Sequence, residues 1–182
     1  MPTVFDLDKF RMGIFNLSSA RFGKVAKLMI QQLYDYSDPE NKYYNLYDPS
    51  NKFRVEVGFS RAVNKPPLIT KNNAISEIYN SAANSKKVII EADLQSCIFR
   101  CNIQQLKLTH FDVLYYGIFF FDTIYIFKAL TSELPLLPGF CSKQHESSIK
   151  EAQMGLTHAN LDLHKKLLIT KLSYQDLYSL LS

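Results

Sequence analysis

Between residues 53 and 60 apolar and polar positions alternate, with Phe53, Val55, Val57 and Phe59 on one side and Arg54, Glu56, Gly58 and Ser60 on the other. That is the period of a strand with one face in a core. A second extended run, "YYNLY", precedes it, and the Asp48-Pro49-Ser50-Asn51 stretch between them is turn chemistry, so residues 43–60 predict a β-hairpin. With 49–52 as the loop, position 48 pairs with 53, Asn45 faces Glu56 on one face, and Asp48 lies on the other. A bulge or a slip of one residue would instead bring Asp48 toward Glu56.

Helical spacing governs residues 18–36, where Ser18 and Ser19 are candidate N-caps and Phe22, Val25, Ala26, Met29 and Leu33 form one stripe. A proline-bearing connection follows the hairpin, and a short helix is predicted within 70–85 with Ile75, Ile78 and Tyr79 on one side. Strands are expected at 86–93, around Ile98 to Ile103, at 111–121 and at 124–130, the last two joined by a tight turn at Asp122-Thr123. Residues 132–155 read mostly as loop, and the chain closes with helices at 159–169 and 173–182, the second capped by Ser173. This order predicts an α/β fold, a mixed central β-sheet flanked by helices.

The length of 182 residues is that of one domain, 1–182, with room for a single sizeable core. A net charge of +4 suits a polyanionic partner without requiring one. The three cysteines, an odd number, argue for free thiols in a reducing compartment. The opening MPTVFDLDKF has neither a basic leader nor a long apolar stretch, and the apolar run 113–127 is broken by Asp122 and too short to span a bilayer. A cytoplasmic protein with no membrane partner is expected.

The hairpin is where chemistry is expected. Hydrolysis of DNA with Mg²⁺ needs hard oxygen ligands to hold the cation, and it gains from a lysine that offsets charge developing on the phosphate. Glu56 supplies one carboxylate, but the position two residues on, where a lysine would share its face, is Gly58.

Three further stretches, "RFGKVAKLMI" (21–30), "CNIQQLKLTHFDVLYYGIFFFDTIYIFK" (101–128) and "SKQHESSIKEAQMGLTHANLDLH" (142–164), arranged around "YNLYDPSNKFRVEVGFSRA", resemble small type II restriction endonucleases of the PD-(D/E)xK nuclease superfamily. The resemblance spans about residues 20–178. It implies a restriction-endonuclease-like core, a Mg²⁺-dependent enzyme cutting double-stranded DNA as a homodimer, and a cognate DNA methyltransferase. Carried over, Glu56 matches the motif glutamate and a metal ligand, and "EVGFSRA" matches a segment that in such enzymes commonly reads EVKFSRA, with the departure at Gly58. The second ligand matches Asp48 or, in the hairpin register, Asn45, and a helix position often held by glutamate is Lys27. Lys27, Lys52, Arg54 and Lys107 are candidate replacements for the absent lysine. The alternatives are a nuclease-derived protein that binds DNA without efficient cutting, and an interaction protein on a similar sheet.

Arg61 and Lys65 follow the hairpin and are candidates for backbone phosphates. Gln104, Gln105, Gln153 and His158 can reach base edges or phosphates, Lys107 is a further candidate for DNA contact, and Lys143, Gln144 and His145 in the C-terminal part are the first choices.

Overall fold

The hairpin forms in the expected register. Strand β1 (Leu46–Asp48) pairs antiparallel with β2 (Phe53–Arg61), setting Leu46 against Val55 and Asp48 against Phe53. The computed structural model describes residues 4–63, 68–81, 88–94, 96–143 and 151–182. Asp48 builds the turn: its carboxylate accepts from the backbone N–H groups of Ser50 (3.0 Å) and Asn51 (3.1 Å) and from Asn51 Nδ2 (2.8 Å). Such a side chain substitutes for the backbone acceptors that a tight turn lacks.

Beyond the hairpin, β2 runs parallel to β4 (Val113–Phe119), which pairs antiparallel with β5 (Ile124–Leu130) across the turn expected at Asp122-Thr123. Strand β8 (Leu168–Leu172) adds at the far edge, giving a mixed five-stranded sheet in the order β1-β2-β4-β5-β8. All seven residues of β4 are buried, which fits an apolar run covered on both faces. A bidentate pair from Arg54 to Asp112 (2.8 and 3.0 Å) ties the start of β2 to the start of β4, and Arg54 also donates to the Thr109 carbonyl (3.1 Å).

Three helices cover one face of this sheet: α1 (Val4–Asn16), α2 (Ser19–Tyr34) and α5 (Tyr174–Leu181). Ile14, Phe22, Ala26, Met29, Tyr174 and Leu177 meet Val55, Tyr115 and Phe119 there. Ser18 sits at the expected N-cap of α2 with extended backbone, and the Ser173 hydroxyl accepts from Asp176 N–H at the start of α5. The sequence reading did not include α1.

The other face is covered by a second, antiparallel sheet, where helices were expected. Strands β3 (Arg100–Leu106), β6 (Phe140–Cys141) and β7 (Ala152–Thr157) lie in the order β3-β7-β6. Their inward residues Cys101, Ile103, Leu106, Met154 and Leu156 join Leu114, Tyr116, Ile118 and Phe127 of the main sheet in one core. A buried His164, in the short helix α4 (Leu161–His164), donates from Nε2 to the Pro138 carbonyl (2.9 Å) and accepts at Nδ1 from Tyr116 (2.9 Å).

Other elements also differ from the expectation. Within 132–155, expected as loop, β6 and the start of β7 form because their apolar side chains complete the inter-sheet core. The helix expected at 159–169 stops at His164, followed by a 3₁₀ turn, and the chain straightens into β8 because the edge of β5 offers a ladder. Of the strand expected at 86–93, Val88 makes an isolated bridge to Val63 and Glu91–Asp93 is a 3₁₀ turn. Helix α3 (Ala74–Ser81) forms, but the side expected to pack is open, with Ile75 and Tyr79 at 72% and 80% exposure. Among the described residues no helix is long and apolar enough to cross a membrane.

Gly117 sits where β4 and β5 are covered by Phe59, and a β-carbon there would collide with the Tyr125 carbonyl oxygen and the Phe59 ring. Gly117→Ala should cost about 3 kcal/mol or more, because backbone cannot yield as a side-chain tip can. Urea unfolding of the variant measures the loss.

Candidate functional site at the seam between the sheets

Glu56 lies in the middle of β2 on the face turned toward the second sheet, opposite Leu114 of β4. It is half-buried, and burial raises its carboxyl from the ordinary range to about 7, partly opposed by the nearby positive charge of Lys107. Lys107 immediately follows β3 and pairs with Glu151, just ahead of the neighbouring strand β7 of the same sheet, at 3.5 Å. Beside it opens a cleft of about 600 Å³ lined by Lys107, Thr109, His110, Ser142 and the apolar Leu106 and Ala152. A titratable group shifted by burial next to a cleft is a typical functional-site signature. Chemically, the seam offers a carboxyl that changes charge near neutral pH, two cationic or ionisable nitrogen groups and two hydroxyls.

Of the rest of the expected catalytic set, Asp48 and Lys27 lie away from Glu56, while Asn45 and Gly58 lie near it in scaffold roles. Asp48 belongs to the opposite face of the sheet from Glu56, and its oxygens are occupied by Ser50 and Asn51. Burial pushes its carboxyl up, but the hydrogen bonds from Asn51 and Ser50 outweigh that and hold it below the ordinary value. Asn45, expected across from Glu56, precedes the first ladder pair, and its N–H donates to the Val55 carbonyl at 3.0 Å. Its Oδ1 accepts from the Val57 N–H (2.7 Å), so the side chain extends the ladder where β1 ends. A Mg²⁺ ion shared by Glu56 and Asp48 therefore does not fit this arrangement, since hard-cation binding needs both carboxylates on one side with free lone pairs.

Gly58 has a packing role. A β-carbon at 58 would run into Cγ2 of Ile103 on β3, so the glycine is what lets the second sheet approach β2. Ile103 is β-branched and stiff at χ1, and it cannot simply swing aside. The space for a lysine at 58 is filled.

Three of the candidate cations are engaged in the scaffold. Lys27 is bound by Asp38 at 2.9 Å on α2, which packs on the helical face, away from Glu56. Arg54 is consumed by Asp112 and the Thr109 carbonyl. Arg61, expected at DNA phosphates, turns inward and donates through Nη1 to the carbonyls of Ile14 (3.2 Å), Phe15 (2.9 Å) and Leu17 (2.7 Å). It closes the C-terminal end of α1, where carbonyls lack helical partners, and its guanidinium stacks on Phe22 at 4.7 Å. Of the four candidate replacements for the missing lysine, Lys107 is the one whose charge acts on Glu56.

Among the expected DNA contacts, Gln104, Gln105, Lys107, Lys143 and His158 are exposed, and Gln153 is partly so. Lys65, Gln144 and His145 lie outside the described residues. Gln105 has a left-handed backbone (φ +62°) at a bulge where the pairing of β3 with β7 shifts between Ile103 and Leu106. Bulges of this kind re-aim side chains at sheet edges. Sequence reasoning missed Glu151, Thr109, His110 and Ser142; the alternation of "AQMGLT" could have revealed β7 and so placed Glu151 at its entrance.

No protein-family model matches the chain, and comparison with curated proteins returns no match.

The folded value of Glu56, about 7, lies above the unfolded one near 4.3, so the folded chain keeps a proton that the unfolded chain releases. The resulting stabilisation is full below about pH 4 and disappears as pH rises to about 7. Glu56→Gln should accordingly gain stability relative to the parent between pH 4 and pH 8, by at most about 4 kcal/mol. Urea unfolding at several pH values tests this, and a difference that stays flat would mean the carboxyl is well solvated. Gly58→Lys should lose about 1–3 kcal/mol through overpacking. Combined with Ile103→Ala it should lose less than the two single changes added together, as a double-mutant cycle will measure.

Proposed function

We propose that this protein binds double-stranded DNA through a restriction-endonuclease-like core, with backbone phosphates at the seam beside Glu56, and that it does so without a Mg²⁺ ion held by Glu56 and Asp48. The observation that carries this reading is the cleft that presents Lys107, His110 and two hydroxyls, with the half-buried Glu56 within reach of the Lys107 charge. Phosphate oxygens are met by such groups in most protein–DNA contacts. The exposed Lys143 extends the positive character, and the net charge of +4 agrees in sign.

The residues at the seam would act as follows. Lys107 would neutralise a phosphate, and His110, Thr109 and Ser142 would donate hydrogen bonds that orient it. Glu56, where it keeps its proton, would donate rather than repel. This is binding chemistry, and the side chain that would build a hydrolytic pair at position 58 is replaced by contact with Ile103.

A second reading, an active type II endonuclease, is favoured by one observation: Lys107 brings a positive charge to Glu56 from the neighbouring sheet, as position 58 would have done from its own strand. Supercoiled plasmid incubated with Mg²⁺ separates the two. The binding reading expects a gel shift with no nicked or linear product; sustained cleavage that is abolished by Glu56→Gln would establish the enzyme. In either case binding should weaken steeply with salt, and Lys107→Ala and Lys143→Ala should each lower the slope of log K against log salt by about 1. A chain that shifts no duplex even at low salt would leave an interaction protein as the account.

A further inference from the structure

The second sheet has one face in the core and one in solvent, and the two differ sharply in chemistry. Inward, it presents Cys101, Ile103, Leu106, Ala152, Met154 and Leu156. Outward, β3 presents Arg100, Asn102 and Gln104, β7 presents Gln153 and Thr157, and β6 presents Cys141. The alternation is plain in the pairing, where Arg100 faces Thr157, Asn102 faces Gly155 and Cys141 faces Gln153. None of the three strands contains an aspartate or glutamate.

A sheet face needs only polarity to meet water, and mixed charges are its ordinary covering. This one holds amides and a guanidinium. Asn and Gln match the donor and acceptor pair of adenine in the major groove, and Arg matches the two acceptors of guanine. Carboxylates, which duplex phosphates would repel, are absent from it.

The dimensions agree. The major groove admits a pair of β-strands, and β3 with β7 is the long pair of this sheet, flanked only by the two-residue β6. Residues on one side of a strand recur about every 6.7 Å, close to twice the 3.4 Å step between base pairs. Strand β3 then leads directly into Lys107 and the seam cleft, so a duplex lying along that pair would bring its backbone to that cleft. At the junction the bulge exposes Gln104 and Gln105 together. The Arg100 guanidinium is already oriented by its Nε donating to Asn102 Oδ1 at 3.2 Å.

We infer that the outward face of β3 and β7 is a base-reading surface for the major groove of duplex DNA, with Arg100, Asn102, Gln104 and Gln153 as the residues that set sequence preference. This rests on the DNA-binding reading of the seam and adds to it the element that selects sequence. Arg100 and Asn102 have no place in the seam cleft.

The test is selection by the full chain from a random-sequence duplex pool, followed by the same selection with Arg100→Ala and Gln104→Ala. Both positions are exposed on a sheet whose packing lies on its other side, and circular dichroism with thermal melting will verify folding. The wild-type chain should enrich a short motif. Each variant should lose preference at one or two positions of it by about 10- to 100-fold. Enrichment of an unchanged motif by both variants overturns the inference, and so does a wild-type chain that shifts duplex DNA but enriches nothing, although the seam reading then survives. A wild-type chain that shifts no duplex at low salt overturns both.

Discussion

Ile103 resting on the backbone of Gly58 is the contact on which the arrangement of the whole molecule turns. A side chain at 58 would hold the two sheets apart, and the core between them, from Cys101 and Leu106 to Tyr116 and Phe127, would lose its close packing. The same approach helps bury Glu56, since the second sheet to which Ile103 belongs lies over that face of β2. Packing and electrostatics are thus coupled at one strand. The seam has an unusual carboxyl because the neighbouring residue has no side chain.

Much of the positive charge in this chain serves the scaffold. Arg54 spans β2 and the turn before β4, Arg61 binds the last carbonyls around α1, and Lys171 meets Glu91 at 2.6 Å while lying over the Tyr125 ring. Bidentate or multiple bonds by guanidinium groups suit such roles, because the fork fixes direction as well as charge. The exposed cations near the seam are fewer than the composition suggests, which gives Lys107, paired only at 3.5 Å with Glu151, and Lys143 their weight.

What the sequence revealed follows the range of the physics involved. The hairpin was legible down to its register because turn residues and alternation act over a dozen neighbours, and β4 with β5 because their apolar run is long and sharply broken at Asp122. Helix α1 was not, since its apolar residues do not gather into a stripe, and the buried ones among its described side chains, Ile14 and Phe15, stand near its end. Strand β8 carries leucine and lysine that favour a helix, and the ladder offered by β5 prevailed. At the site, Glu56 could be named from its own strand. Its surroundings could not, because Lys107 and Glu151 arrive from distant parts of the chain, and the closure of position 58 depends on a strand that no local pattern connects with β2. Asp48 showed the opposite hazard: a carboxylate beside a proline has a ready local use in the turn, and that use prevailed.

The parallel junction of β2 with β4 has a kinetic corollary. Every residue from Ala62 to Asp112 lies between those two strands, whereas β1 with β2 and β4 with β5 each join across a short turn. Local pairs close quickly and distant ones slowly. Two hairpins should therefore exist before the central seam of the main sheet does, each with an unpaired inner edge until they meet, and the Arg54 and Asp112 clasp stands at the mouth of that last closure.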